Sequence, residues 1–294
     1  MKRFHRGCRR LCLLAILLAA LILFLRVNVL ADTNSKHAIL LDARSGQVLA
    51  QKRASERVPP ASLTKMMTAL LAVEAVPDLD EPVTLPEEIF PALYGADASM
   101  AGFAPGETVT VRDLLYGAIL PSGAECCEAL ARRVSGSEEA FVALMNQKAR
   151  ELGMKNTHFA NPTGLTALEH YSSAADLAVL LREALHNETF RTVFTTAHYT
   201  SMATAQHPEG LSMTSTLLSR LDGTELENGA ILGGKTGYTQ AAGLCLASLA
   251  QVNGKEYILV TLGAPGDHST GQTNITDAVQ VYRELGKEKM TGFR

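Results

Sequence analysis

Two hydrophobic rhythms divide the chain. Ala38–Asp42 and Gln47–Gln51 are short, strand-like stretches around the turn Ala43-Arg44-Ser45-Gly46. Strand-like segments return at Leu244–Ala250 and Glu256–Gly263, joined by Asn253-Gly254, a dipeptide suited to a tight hairpin. Between them the apolar positions recur at three and four residues, the period of an amphipathic helix. After Pro59-Pro60 an apolar helical run extends from Met66 through Ala72 to Val76. Thr110 predicts an N-cap for a helix through Leu120, which Pro121 ends. A further helix is expected from about Gly123 to Val134. The next starts at Ser137, with Glu138 and Glu139 near its positive end, and stops at Gly153. Ser173 with Asp176 resembles a capping box for a helix through Leu185, and Thr276–Leu285 reads as a closing helix. Strands at both ends of a helical middle predict an α+β fold.

The first thirty or so residues follow a different pattern. Lys2, Arg3, Arg6, Arg9 and Arg10 form a basic stretch, followed by an unbroken apolar run from Leu11 to Leu25. That run suits the hydrophobic region of an export signal and is short for a spanning helix, which needs about 20 residues. Val29-Leu30-Ala31 offers compact residues for cleavage after Ala31, whereas Arg26 argues for an uncleaved membrane anchor. Either way the basic end stays in the cytoplasm and the body faces outward. The expected location is therefore extracytoplasmic, secreted or anchored to the outer face of the cytoplasmic membrane, with membrane contact only through this segment. The expected division is 1–31 for signal or anchor, 37–286 for one catalytic domain, and 287–294 for a short tail without a C-terminal β domain.

Composition narrows the field. At 294 residues and 47% hydrophobic content the chain has enough apolar material for a sizeable core. With 5% aromatic residues and no tryptophan, that core must be aliphatic. A net charge of −3 gives no reason to expect a nucleic-acid partner. Five cysteines do not make a disulfide scaffold: Cys8 and Cys12 lie in the export segment, and Cys126, Cys127 and Cys245 read as small buried thiols. The eight histidines are scattered and show no metal-ligand spacing.

Ser62-Leu63-Thr64-Lys65 carries the chemistry. At the start of a helix, residues three apart share a face, so the Ser62 hydroxyl and the Lys65 amine can touch. Serine becomes a nucleophile when a neighbouring base takes its proton, and lysine serves as that base once burial or nearby positive charge lowers its pKa. An isolated S-x-x-K is also what an N-capping serine and a surface lysine would give. Two further stretches weigh against that bland reading. Lys235-Thr236-Gly237 sits in Gly233-Gly234-Lys235-Thr236-Gly237-Tyr238-Thr239, ahead of an apolar strand, and Ser122-Gly123 follows Pro121 roughly midway between.

S-x-x-K, a serine turn and K-T-G in that order resemble penicillin-binding proteins and class A β-lactamases. The surrounding text, from about His37 to Gly286, narrows the resemblance to the D-alanyl-D-alanine carboxypeptidases, low-molecular-mass penicillin-binding proteins of the serine peptidase type. It includes Leu41-Asp42-Ala43-Arg44-Ser45-Gly46, Pro105-Gly106-Glu107-Thr108-Val109, Asn156-Thr157-His158-Phe159-Ala160-Asn161-Pro162-Thr163-Gly164 and His170-Tyr171-Ser172-Ser173.

The resemblance implies an antiparallel sheet flanked by helices, with an inserted helical lobe and the site between them. It implies a serine-type carboxypeptidase that removes the terminal D-alanine of peptidoglycan stem peptides, needs no cofactor, and takes β-lactams as covalent inhibitors. Ser62 would form the acyl-enzyme, Lys65 would be its base, and Ser122 would relay a proton to the leaving amine. Lys235 and Thr236 would hold the terminal carboxylate. Gly237 would let substrate approach the strand, and the N–H groups of Ser62 and Tyr238 would form the oxyanion hole. Beside these stand structural readings: an N-cap for Ser122, a surface position for Lys235, a structural role for His170, and turn formation by Asn161-Pro162 and Gly164.

Two departures from the family pattern matter. The second motif usually reads S-x-N, but position 124 is alanine, with Glu125 as a candidate substitute. An arginine that often follows the last strands is missing between Pro265 and Arg283. Competing readings are a weakened relative that binds D-alanyl ends or penicillin without useful turnover, and a β-lactamase.

Overall fold

The computed structural model describes residues 29–221 and 226–288. The basic and apolar export segment through residue 28, with Cys8 and Cys12, and the tail from residue 289 lie outside the described residues.

In chain order, β1 (His37–Asp42) and β2 (Val48–Lys52) precede a short helical turn (Ala61–Thr64) that runs into α1 (Lys65–Ala75). β3 (Pro82–Thr84), α2 (Phe90–Gly95) and β4 (Thr108–Thr110) lead into α3 (Val111–Ile119), α4 (Ala124–Ser135) and α5 (Glu138–Glu151). α6 (Ala174–Ala184) and α7 (Glu188–Thr195) follow, then the small hairpin of β5 (His198–Thr200) and β6 (Ser212–Thr214). β7 (Gly229–Thr239), β8 (Gly243–Val252), β9 (Lys255–Ala264) and α8 (Thr273–Glu288) complete the fold.

The main sheet has the order β2-β1-β9-β8-β7, with every neighbouring pair antiparallel. Strand alternation builds two cores. Ile39, Leu249 and Val260 face the helical lobe, while Leu40, Leu246 and Leu259 face α8, where Tyr282 is fully buried. Because both faces are covered, β8 and β9 read as nearly continuous apolar runs rather than strict alternations. The Asn253-Gly254 turn has φ of 51° and 74°, the left-handed pair that a tight hairpin requires.

Caps set the helix starts. Thr110 Oγ1 accepts from Asp113 N–H at 3.1 Å, and the Asp113 carboxylate accepts from Thr110 N–H at 3.0 Å, forming a capping box. Ser137 and Ser173 cap α5 and α6 through the hydroxyl alone, each accepting a backbone N–H at 3.1 Å. The Asp176 carboxylate does not close the expected box but accepts from Asn156 N–H and the Thr157 hydroxyl. Removing one such cap costs about 1 kcal/mol. The α+β class and the inserted helical lobe expected from the sequence are what the chain adopts. Lys235-Thr236-Gly237, read in the sequence as lying ahead of an apolar strand, falls within β7, an eleven-residue edge strand whose start at Gly229 the sequence did not mark.

Candidate active site

The helical turn Ala61–Thr64 places Ser62 where α1, β7 and the lobe meet. Lys65 begins α1, is 2% exposed, and brings its Nζ to 2.9 Å from Ser62 Oγ. The carbonyl oxygen of Thr163 accepts a second Lys65 N–H at 2.6 Å. That oxygen is fixed by the loop around Asn161, whose Oδ1 accepts from Thr163 N–H and Gly164 N–H, while Thr68 donates to Pro162 O at 2.6 Å. Gly164 has φ of 84°, and a Cβ there would come within 2.0 Å of Ala61 O, so only glycine fits against the turn that carries Ser62. Asn161, Pro162 and Gly164 thus do form a turn, and the turn holds the lysine.

Burial pushes the pKa of Lys65 down, against the opposing pull of Cys127 and Glu125. Lys235 lies in β7, is also fully buried, and is pushed well below the ordinary lysine range by desolvation and by the charge of Lys65. Its Nζ donates to Thr236 O at 2.9 Å. Among the described residues no carboxylate forms an ion pair with either lysine, so two ammonium groups here would be uncompensated. The arrangement favours a neutral amine next to the serine. The surface reading of Lys235 does not hold.

Ser122 stands between α3 and α4, nearly buried, with φ of 72°. Gly123, not Ser122, is the N-cap residue of α4. A serine held in the left-handed region costs on the order of 1–3 kcal/mol, a strain found where a side chain must be aimed. Ala61, just before the nucleophile, is held at φ of 48°.

Two connected recesses open on Ser62. The narrow one, about 60 Å³, is lined by Ser122, Thr216, Arg220, Thr236 and Gln272. Thr216 Oγ1 and Thr236 Oγ1 are 2.7 Å apart, and Arg220 Nη1 donates to Gln272 Oε1 at 2.9 Å. The wide one, about 450 Å³, runs past Lys65 and Ala124 towards Thr166 and Gln240. Tyr238 and His268, in edge contact with ring centroids 4.7 Å apart, border both recesses. A Cβ on Gly237 would lie 3.1 Å from Ser62 N, which explains how close β7 comes to the turn of the nucleophile.

Arg220 was not singled out in the sequence. It precedes K-T-G and sits on a short turn (Leu218–Arg220), and only the packing of that turn beside Gln272 brings the guanidinium to the recess. Glu125 is not a substitute for the missing amide. Its carboxylate is buried facing the 101–102 backbone, where Oε1 accepts from Ala101 N–H at 2.7 Å and Gly102 N–H at 2.9 Å. The residue lining the groove at that point is Ala124.

His170 is structural. Nδ1 accepts from Ala160 N–H at 3.1 Å, which leaves Nε2–H to donate to Thr64 Oγ1 at 2.9 Å. Burial lowers its pKa to about 4, so this neutral tautomer persists. Cys126, Cys127 and Cys245 are buried free thiols, with Cys127 and Cys245 pushed up to about 12 by desolvation.

A buried lysine touching a serine, a second buried lysine on the facing strand and a serine between two helices define an active-serine acyl-transfer site. The family model of the D-alanyl-D-alanine carboxypeptidases, peptidase family S11, matches residues 26–266, and the chain belongs to that family. It is 37% identical over 250 residues to D-alanyl-D-alanine carboxypeptidase DacF of Bacillus subtilis, covering 83% of this chain and 61% of that one. To D-alanyl-D-alanine carboxypeptidase DacC of Escherichia coli it is 36% identical over 239 residues, covering 78% and 56%. The chain therefore spans about three fifths of the length of these curated relatives. Among solved structures, the Streptomyces K15 DD-transpeptidase superposes with a TM-score of 0.76 at 30% identity, covering 87% of this chain and 98% of that one. A D-alanyl-D-alanine carboxypeptidase from Mycobacterium tuberculosis gives 0.75 at 28%, covering 87% and 92%.

Proposed function

We propose that this protein is a serine-type carboxypeptidase that removes the terminal D-alanine from peptidoglycan stem peptides outside the cytoplasmic membrane. The observation that carries the proposal is the 2.9 Å contact between a buried Lys65 and Ser62. The neutral Lys65 amine takes the Ser62 proton as Oγ attacks the carbonyl of the penultimate D-alanine. The N–H groups of Ser62 and Tyr238 receive the developing oxyanion, each contributing on the order of 3 kcal/mol. As the tetrahedral intermediate collapses, the C–N bond breaks and the proton passes through Ser122 to the leaving D-alanine amine. Water then attacks the ester as Lys65 takes its proton, the acyl C–O bond to Ser62 breaks, and Lys65 returns the proton to Ser62 Oγ, restoring the hydroxyl and the neutral amine.

The free carboxylate of the substrate binds in the narrow recess. Thr236 and Thr216 supply hydroxyls and Arg220 supplies charge, while Lys235, buried behind them on β7, holds the Thr236 carbonyl rather than reaching into the recess. β-Lactams present a carboxylate and an acylating carbonyl to the same groups and would acylate Ser62 covalently. Among the described residues no helix is long and apolar enough to cross a membrane.

Ala124 supports a second reading, since its methyl stands on the groove where the family usually presents an amide. On that reading the protein acylates but hardly turns over, and serves as a sensor of D-alanyl ends or penicillin. Release of D-alanine from diacetyl-Lys-D-Ala-D-Ala, followed with labelling by a fluorescent penicillin, separates the two. Many turnovers per protein, lost in Ser62→Ala, support the peptidase; a single equivalent of D-alanine with a persistent adduct supports the sensor. Penicillin attached away from Ser62 would remove the basis of both.

A further inference from the structure

The wide recess has a sign. Asp97 is the one carboxylate among the described residues that line it, facing a groove otherwise bordered by neutral side chains, the buried Lys65 and His268. Its side chain has no hydrogen bond or ion pair with any described residue. Local structure does not ask for an aspartate there. Asp97 lies two residues past the end of α2 in a left-handed conformation, φ 50°, with its N–H donating to Tyr94 O and the Ala98 N–H to Leu93 O, both at 3.1 Å. Glycine or asparagine suits that position better, and a negative charge opposes the dipole at a helix C-terminus.

The segment behind Asp97 is tied to the catalytic helices. Ala124 N–H donates to Ser99 O at 2.8 Å, and Glu125 clamps the N–H groups of Ala101 and Gly102. The carboxylate is therefore carried on a backbone whose position is set by the same helix, α4, that follows Ser122. With the substrate's terminal carboxylate next to Arg220 and Thr236, the peptide runs back past Ser62 into the wide recess. The side chain of the residue before D-Ala-D-Ala then enters the recess that Asp97 borders.

We infer that Asp97 selects acyl donors with a free side-chain ammonium on the residue before D-Ala-D-Ala, as on a diamino residue not crosslinked through that amine. The inference rests on the peptidase reading above and adds its preferred substrate. An ammonium near Lys65 is disfavoured by desolvation, so the cation belongs at the outer, solvated end with Asp97.

The test compares hydrolysis of Nα-acetyl-Lys-D-Ala-D-Ala, which has a free ε-ammonium, with the Nα,Nε-diacetyl peptide. At low ionic strength the expected ratio of efficiencies for wild type is about five-fold in favour of the free amine, the size of one solvated ion pair. Added salt narrows it. In Asp97→Asn the ratio falls to about one, and Asp97→Glu keeps part of it. Asparagine is a better residue for the end of α2, so the Asn variant melts no lower than wild type and its lost selectivity is not unfolding. Equal use of both peptides by wild type overturns the inference and leaves the peptidase reading intact. A preference that survives in Asp97→Asn also overturns it. Hydrolysis of neither peptide removes both.

Discussion

Lys65 Nζ stands between two oxygens, 2.9 Å from Ser62 Oγ and 2.6 Å from Thr163 O, and the second contact decides what the first can do. The carbonyl of Thr163 can only accept, so it holds one amine N–H and fixes the nitrogen beside Ser62, where a neutral Lys65 has a lone pair with which to take the serine proton. Burial favours that neutral form.

The first prediction follows from this geometry. Lys65→Arg is nearly as damaging as Lys65→Ala, because a guanidinium keeps its charge and cannot take the serine proton. Acylation by penicillin should rise with pH as Lys65 deprotonates, with its half-point below the ordinary lysine value of about 10.4. Stopped-flow acylation rates across pH provide the check. An arginine variant that keeps more than roughly a tenth of the wild-type rate would reduce Lys65 to an electrostatic role.

Ala124 supports a prediction in the opposite direction. Ala124→Asn offers the groove an amide and should raise carboxypeptidase efficiency several-fold, one neutral hydrogen bond being worth about 1 kcal/mol. If the contact strengthens in the transition state the gain appears in kcat, and if it is uniform it appears in KM. An unchanged kcat/KM would mean that another group already binds the peptide at that point.

What the sequence revealed was local. Thr110 with Asp113, Ser137 and Ser173 cap helices by reaching three residues along the chain, so spacing alone exposes them. Ser62 and Lys65 share one turn and were legible for the same reason. The missed features depend on distant partners. The early part of β7 carries Gly229, Gly233 and Gly234, which lower strand propensity, because the backbones of α7 and β8 press against it. Arg220 becomes part of the site only by meeting Gln272, fifty-two residues later. Glu125 looked available for the groove in one dimension, and its direction is set by the 101–102 backbone.

Glu128 makes stability depend on pH. It is buried on α4, one carboxylate oxygen has no hydrogen-bond partner, and Arg132 approaches only to 4.0 Å. Desolvation, with Glu138 and Glu139 adding to it, raises its pKa to about 7. A carboxyl whose folded pKa exceeds its unfolded value of about 4.3 is most compatible with folding when protonated. The protein therefore loses stability as pH rises from about 4.3 to 7, by on the order of 3 kcal/mol from this group, and the loss levels off above that. Glu128→Gln keeps the protonated shape and should melt higher than wild type at pH 8, with little difference at pH 4. Equal melting temperatures at both pH values would show that Arg132 compensates the charge after all.

The N-terminal end of the described chain supplies the last prediction. Leu30 is fully buried and Val29 nearly so, both in the core between the sheet and α8. The residues after them are fastened to α8 by Asp277, which accepts from Asn34 N–H and Ser35 N–H at 2.8 Å each and from the Ser35 hydroxyl at 2.6 Å. Cleavage after Ala31, expected from the sequence, would remove two residues that the domain packs inside itself. Losing a buried leucine of this kind costs about 2–3 kcal/mol, or roughly 5–10 °C in a domain of this size. A chain beginning at Asp32 should therefore melt lower than one beginning at Val29 by about that much. The exported protein should carry an N-terminus at or before Val29, or keep the whole segment as an anchor. Terminal sequencing of the exported protein distinguishes these from Asp32. A mature chain that begins at Asp32 and melts with the longer one would mean that Val29 and Leu30 cover the core without supporting it.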